Sequence, residues 1–487
     1  MKRKIYQELL EWKRHDARKV ALLIDGARRV GKSWIAEEFG KNEYESYLLI
    51  DFRLAGDEVK EMFRTQLDRL DDFFFNLSAY YGVRLVKGHS LIIFDEIQFF
   101  PRAREAIKWL IKDGRFDYLE TGSLVSIDEN VKDIQIPSED RRIGLGPMDW
   151  DEFLWATGNE LLLEALRMAH EKGEPPPNAI HRRAMELVRQ YMVVGGMPQA
   201  VAVFVAERDL AAVDRQKRDI LELYRKDIAK HAGRLARKVR SIFDGIPSQL
   251  SRHDRVYRLS SLGAAARYRS YENAFLWLDD AKVVNTAYNA TDPIVGLKAS
   301  SERTTFKLYM GDTGLLTSLY FDEDDASRAD IQRLVLYGSL EANLGMVMEN
   351  LVAQMIVASG RKLYFYARSD NNDASARMEI DFLIAKSGIG NRHNISALEV
   401  KKTKRITTVS LDKFRNKFAD RLARSYIVHA GAYSDGEGAL RIPVYMLPFE
   451  LEHAPGKGKL RAHEVFDDDP RRSPAPKPVC GEGGVLV

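Results

Sequence analysis

Cysteine is almost absent: Cys480 is the only one in 487 residues. That excludes a disulfide within the chain and any site built on several thiolates, and a reducing compartment is expected. Long apolar runs are lacking as well. None approaches the roughly 20 residues that a bilayer-spanning helix needs. The opening Met1-Lys2-Arg3-Lys4 leads into amphipathic sequence rather than a secretory core, so no membrane partner and a cytoplasmic location are expected. Excess charge of one sign is also missing, with 74 Lys and Arg against 71 Asp and Glu. A uniformly basic nucleic-acid binder is thereby excluded, but a local basic patch is not. There is no internal repeat. With 45% hydrophobic and 30% charged residues, most of the chain has the composition of folded domains, and its length suggests about three.

What is present begins with Gly26-Ala27-Arg28-Arg29-Val30-Gly31-Lys32-Ser33. The apolar run Val20–Ile24 before it has the character of a strand, and Trp34–Phe39 after it opens a helix. Strand, Gly-bounded loop, Lys-Ser and helix form the setting of a phosphate-binding loop. Glycines let successive N–H groups turn toward one anion, and the helix N-terminus adds partial positive charge. ATP is the expected ligand, held by residues 26–33, with Lys32 on the β- and γ-phosphates and the Ser33 hydroxyl on Mg²⁺.

Ser90–Phe94 is a second apolar run, and it ends in Asp95-Glu96. A buried parallel strand delivers such acids to its carboxyl edge. Asp95 is expected in the Mg²⁺ shell and Glu96 beside the attacking water. Between these anchors, residues 1–19 have the pattern of a charged helix with Ile5, Leu9, Leu10 and Trp12 on its apolar side. Residues 46–52 look like a strand, and 57–82 have helical spacing with Phe73-Phe74-Phe75 as core. Asp117–Ser123 looks like a third strand. Its Thr121 or Ser123 either senses the γ-phosphate or simply turns the chain. Arg141 and Arg142 precede the next strand-like piece, and no pattern identifies an arginine finger.

Five stretches carry a resemblance: Lys2–Tyr6, Asp25–Ser33, Phe94–Gln98, Thr121–Leu124 and Pro147–Trp155. On these the chain resembles archaeal and bacterial P-loop ATPases of the AAA-14 type with a C-terminal DUF4143 region. Gly144-Leu145-Gly146 and Trp150 depart from the family's usual residues, outside the nucleotide motifs. The resemblance extends to about residue 450 and implies an α/β fold: an AAA-like P-loop ATPase core (1–155), a helical lid (156–232), a winged helix-turn-helix (233–300) and a C-terminal α/β domain (301–452).

The lid region is helical by pattern, broken at Gly173–Pro177 and at Gly195-Gly196-Met197-Pro198, the latter most simply a tight interhelical turn. Arg215–Arg258 holds thirteen Lys and Arg against five Asp and Glu. Helical patterns at 237–249 and 263–278, then a strand at 282–288, fit a winged helix, as the resemblance also implies. Arg267, Tyr268, Arg269 and Tyr271 would then face a DNA groove, and Arg252 to Arg258 would meet phosphates. A protein-docking winged helix with a merely solvated basic face is the other reading.

Toward the C-terminus, Asp312-Thr313-Gly314 follows a strand and is structural in this context. Residues 341–358 form an amphipathic helix containing Glu349. Lys362–Tyr366, Glu379–Ile384, Ala397–Lys402, 425–428 and 443–446 look like strands. A helix Glu, a strand Asp381, then Glu399-Val400-Lys401 resembles the PD-(D/E)XK nuclease fold. The resemblance implies a divalent metal on Asp381 and Glu399, with Glu349 as a further ligand or partner, and Lys401 beside the attacking water. Such folds also serve as inert binding modules. Glu379 shares a face with Asp381 by alternation and is expected at the surface. Thr403 and Lys404 are further candidates for phosphate contact. Beyond 453 the composition suggests a disordered tail. Two functions remain open, while a third, a translocating motor, needs a ring assembly and a trans arginine that the sequence does not identify. One is a DNA-associated ATPase with a nuclease-like tail. The other is a nucleotide-gated switch for a protein or DNA partner with an inert nuclease-like fold. A homo-oligomer is compatible with either.

Overall fold

Strand β1 (Ala21–Asp25) is buried on both faces because each of its residues up to Ile24 is apolar. Beside it lie β2 (Ser46–Asp51), β3 (Ser90–Asp95), β4 (Asp117–Gly122) and β5 (Asp140–Gly144). All pair in parallel, in the order β5-β1-β4-β3-β2. Alternate residues feed two cores. Leu22, Ile24, Leu91 and Ile93 pack toward helices Ile5–His15 and Lys32–Glu43. Leu23, Ile92, Phe94 and Tyr118 pack toward helices Asp57–Thr65, Leu70–Tyr81 and Pro101–Asp113. Phe52, Phe63, Phe73, Phe94 and Phe100 join edge to face on that side, for example Phe63 and Phe73 with centroids 5.0 Å apart.

The computed structural model describes residues 1–123, 140–252, 255–264, 266–294, 296–321, 344–368, 377–385, 394–401, 407–436 and 438–452. The expected disordered tail with Cys480, the candidates Thr403 and Lys404, and Leu124 lie outside them. Among the described residues no helix is long and apolar enough to cross a membrane.

Helices Trp150–Ala156, Glu160–Lys172, Asn178–Val194, Pro198–Glu207 and Leu210–His231 follow the sheet. A capping box of Asp149 and Glu152 starts the first. The Gly195-Gly196 turn does more than join two helices. Gly196 N–H donates to Asp312 Oδ2 at 2.6 Å, and Met148 N–H donates to the Gly196 carbonyl at 2.6 Å. A Cβ on Gly196 would lie 2.1 Å from the Met148 carbonyl oxygen. Asp312 also caps helix Thr313–Tyr320 through Leu315 N–H at 2.9 Å, which bears out a structural Asp-Thr-Gly.

Helices Ala236–Leu250 and Tyr268–Asp280 precede β6 (Val284–Ala290) and β7 (Ser301–Met310), which pair antiparallel. These strands share a sheet with β8 (Leu363–Arg368) and β9 (Met378–Ile380), in the order β7-β6-β8-β9. A boundary at residue 300 therefore cuts through a hairpin. A third sheet runs β10-β11-β12-β14-β13, from β10 (Phe382–Ala385), β11 (Ile395–Lys401), β12 (Leu422–His429), β13 (Ser434–Gly436) and β14 (Ala439–Pro443).

Several expectations need correction. Residues 57–82 form two helices, parted at 66–69, and Phe75 is 73% exposed while Phe73 and Phe74 are core. The run Glu379–Ile384 is not one strand. It breaks at Asp381, where the chain leaves the sheet of β9 for that of β10. The strand expected at 443–446 lies at Ala439–Pro443, and Val444–Met446 is a 3₁₀ turn. Tyr268 does not face outward. It stacks on Phe275 and meets Phe306 edge-on at 5.9 Å, because an aromatic at the helix start gains more from that core than from water.

Candidate functional site

The phosphate loop leaves β1 at Asp25, whose carbonyl accepts from Leu145 N–H at 2.7 Å. Only glycine fits next, since a Cβ on Gly26 would lie 2.1 Å from the Leu145 carbonyl oxygen. Gly31, at φ +95°, turns the loop into helix Lys32–Glu43, and no side chain caps its first turn. That leaves the helix N-terminus open to an anion. The Lys32 ammonium lies across the loop floor. It donates to the carbonyls of Gly26 (2.9 Å) and Ala27 (2.8 Å) and to Ser123 Oγ (2.9 Å). Burial lowers its pKa to about 8, against the pull of Glu96, Asp25 and Asp95.

Ser33 Oγ donates to Asp95 Oδ1 at 2.7 Å, and the Thr121 hydroxyl donates to the same oxygen. Burial raises the Asp95 pKa and the two hydroxyls oppose the shift. Glu96 takes a left-handed conformation, φ +53°, and its carboxylate accepts from Gln98 Nε2 at 2.5 Å. A cavity of about 630 Å³ opens over these groups. Arg3, Arg28, Arg29, Lys32 and Arg53 bring positive charge to its wall against Glu96, while Trp34, Met148, Pro198 and Leu223 give it apolar surface. Polyphosphate charge and an aromatic base fit such a lining.

Two cavity arginines hold neighbouring elements. Arg3 is buried; its guanidinium donates to the carbonyls of Val30 (2.8 Å) and Gly146 (2.7 Å) and pairs with Glu152 at 3.2 Å. Arg28, inside the loop, pairs with Asp227 of helix Leu210–His231, and Tyr224 OH of that helix donates to the Arg28 carbonyl at 3.0 Å.

A second polar centre lies where β7, β9, β11 and helix Leu344–Ala358 meet. Lys307 Nζ, wholly buried, is 2.7 Å from Glu379, 3.4 Å from Glu349 Oε1 and 3.8 Å from Asp381 Oδ1. Tyr309 OH donates to Glu349 Oε1 at 2.6 Å, and the Arg255 guanidinium pairs with the other Glu349 oxygen. Asp381 Oδ2 accepts from Val400 N–H at 2.8 Å. Lys401 Nζ pairs with Glu399 Oε2 at 2.8 Å. Burial disfavours the Glu349 charge, yet Lys307 and Arg255 outweigh it and hold the pKa below its ordinary value. Burial and the neighbouring Glu349 push Asp381 up to about 7.

Three comparisons bear on these sites. The model of the AAA domain family AAA_14 matches residues 18–154. That of a domain of unknown function, DUF4143, matches 344–447, and that of another, DUF8612, matches 185–326. The chain carries an AAA domain and a DUF4143 region. No curated protein matches it. Among solved structures, that of PCH-2 from C. elegans is similar over 35% of this chain and 44% of its own, at 14% identity and a TM-score of 0.18, too slight a likeness to argue from.

In the AAA domain the expected residues converge. Gly26 to Ser33, Asp95, Glu96 and Thr121 meet at the carboxyl edge of the parallel sheet. Its P-loop lies within the stretch that the AAA domain model matches. The all-oxygen pair of Ser33 and Asp95 suits Mg²⁺, and the open helix N-terminus with Lys32 suits phosphates, so the residues fit ATP with its metal. Ser123 holds Lys32 and Thr121 holds Asp95, so neither residue merely turns the chain. Arg141 lies within β5 and pairs with Asp16 at 2.6 Å.

The DUF4143 region differs from expectation. Glu349 and Asp381 converge, but on Lys307. Glu399 and Lys401 pair with each other. Among the described residues no group of three or more His, Cys, Asp or Glu is arranged to hold a metal ion. The site does not fit the implied divalent metal. Glu379, expected at the surface, belongs to the cluster, as its alternation with Asp381 allowed. Arg255, expected to meet DNA phosphate, turns inward because a buried carboxylate outbids solvent for its charge. Lys307 was legible only as a lysine within an otherwise apolar strand end, sharing a face with Tyr309. Arg3 lies in the stretch Lys2–Tyr6 that carries the resemblance, and Arg255 in the basic run, but neither setting points to the partner that the fold gives it.

Proposed function

We propose that this chain is a nucleotide-gated ATPase switch acting on a DNA or protein partner, with a DUF4143 region that does not cleave. One observation carries the gating: Arg28, part of the phosphate loop, is held by Asp227 and Tyr224 of the helix that leads into the middle module, the helices Ala236–Leu250 and Tyr268–Asp280 with the segments around them. Entering phosphates compete with Asp227 for Arg28, so occupancy alters what that helix is tied to.

Lys32 supplies charge to the phosphates as they enter, and the loop N–H groups fix their position. Ser33 and Asp95 would hold Mg²⁺, which would supply Lewis acidity to the phosphates. Glu96, oriented by Gln98, accepts the proton of the attacking water. Arg53, ion-paired to Asp51 at 3.0 Å, is one of four arginines that line the cavity, with Arg3, Arg28 and Arg29. Arg258, Arg267 and Arg269 are exposed on the middle module and favour DNA as partner.

ATP turnover and DNA binding, measured with and without nucleotide, test this reading. Lys32→Ala is expected to abolish turnover. Asp227→Asn is expected to keep ATP binding while removing the effect of nucleotide on partner binding or oligomeric state. DNA affinity that ATP leaves unchanged in the wild type, with no change in assembly, would sink the switch. Cleavage of DNA with Mn²⁺ that Glu399→Ala abolishes would restore the nuclease reading.

A further inference from the structure

We infer that the acid centre of the DUF4143 region carries its own counter-ions: Lys307 and Arg255 stand where a divalent cation would otherwise neutralise Glu349, Glu379 and Asp381. The geometry is that of a filled site. The Lys307 ammonium lies within 4 Å of all three carboxylates and has no exposed surface. The ammonium, 2.7 Å from Glu379, occupies the space among the three carboxylates that a metal shared by them would need. Arg255 takes one oxygen of Glu349 while Tyr309 and Lys307 share the other. The remaining oxygen of Asp381 is taken by Val400 N–H.

Charge agrees with this. Lys307 and Arg255 bring two positive charges to three carboxylates, Glu349, Glu379 and Asp381. A metal added to two resident cations would leave the buried cluster positively overcharged.

Arg255 gives the centre a second role. It reaches Glu349 from the segment after helix Ala236–Leu250, at φ +48°. Glu349 lies on helix Leu344–Ala358, beside Asn350, which binds Met310 through both its N–H (2.8 Å) and its carbonyl (3.2 Å). Gln354 of the same helix accepts from Thr313 and donates to Tyr191 OH at 3.1 Å, and Tyr191 OH donates to the Met148 carbonyl at 2.6 Å. The cation-filled centre therefore ties the middle module to a buried polar line ending at the wall of the nucleotide cavity. Its positioning role is independent of the proposed gating, and nucleotide-free protein suffices to test it, so either can fail alone.

Mn²⁺ binding to the full-length chain, followed by calorimetry, decides the matter. Wild type and Asp381→Asn are expected to bind Mn²⁺ indistinguishably. Arg255→Ala combined with Lys307→Met is expected to gain one Mn²⁺ equivalent, lost again on adding Asp381→Asn. Wild-type binding that Asp381→Asn abolishes overturns the proposal, and so does a folded double variant with no gain. Should Lys307→Met prevent folding, the Arg255→Ala and Glu349→Gln pair decides through thermal midpoints. The double variant is expected to melt no lower than the worse single, because each change removes the same contact. Additive losses overturn the assignment of Arg255.

Discussion

Lys32 is the residue on which the AAA domain turns, and its burial has a measurable consequence. In the ligand-free protein its pKa is lowered to about 8. Phosphates favour the ammonium, so binding above that pH requires proton uptake. ATP affinity is expected to fall as pH rises from 7 to 9.5, by up to about tenfold per pH unit above 8. Titration calorimetry across that range checks it, and a flat profile would contradict the placement of Lys32 on phosphate. Glu96 makes a second, separable prediction. Glu96→Gln is expected to bind ATP while turnover falls by about 10²-fold or more. Gln98→Ala, which frees the Glu96 carboxylate without removing it, is expected to lower kcat less and leave KM unchanged. Both Lys32 and Glu96 lie at the ends of elements with a clear apolar pattern, which is why the acids and the loop lysine were legible from the residues alone. Ser123, their neighbour at the floor, could be read two ways, because only the pairing of β1 with β4 brings it to Lys32.

Among the elements, the two glycine turns at residues 26 and 196 make opposite partners of one short stretch, 145–148. Gly196→Ala pushes a methyl group against the Met148 carbonyl and is expected to cost roughly 1–3 kcal/mol or more, read by urea denaturation. Gly144→Ala meets nothing within 4 Å and is expected to be near neutral, a control within the same stretch. The composition at 144–146 departs from what the family resemblance suggests, yet close approach is demanded of Gly26 and Gly196 instead. The broken strand at Asp381 shows the limit of alternation as a guide. Period-two spacing correctly put Glu379 and Asp381 on one face. It could not show that β9 and β10 belong to different sheets, because sheet membership depends on partners far away in the chain.

At the scale of the whole molecule, Lys217 is the buried charge that joins modules. Its ammonium donates to the carbonyls of Val193 (2.6 Å) and Gly314 (3.2 Å), with Asp214 at 3.9 Å. Burial lowers its pKa to about 8. Between pH 8 and its unfolded value near 10.5 the unfolded chain holds a proton that the fold has released, so stability gains with rising pH through this group. The full gain is on the order of 3 kcal/mol. The stability of wild type relative to Lys217→Met is expected to rise across that window by denaturant unfolding. Lys32 titrates in both proteins and cancels. A difference independent of pH would contradict the buried charge.

The sequence by itself determined what is encoded within a turn or a strand: the phosphate loop, the run ending in Asp95-Glu96, the helix breaks at Gly173 and Gly195, and the face shared by Glu399 and Lys401. Each rests on a period or on local backbone chemistry that a few residues specify. Tertiary structure alone decided the order β5-β1-β4-β3-β2, the hold of Asp227 on Arg28, and the filling of the acid centre. Arg255 and Glu349 are 94 residues apart, and Lys307 and Glu349 are 42 apart. A carboxylate in a linear pattern is equally a metal ligand or an ion-pair partner. Which it becomes depends on whether the fold brings it a cation of its own, and here the fold does.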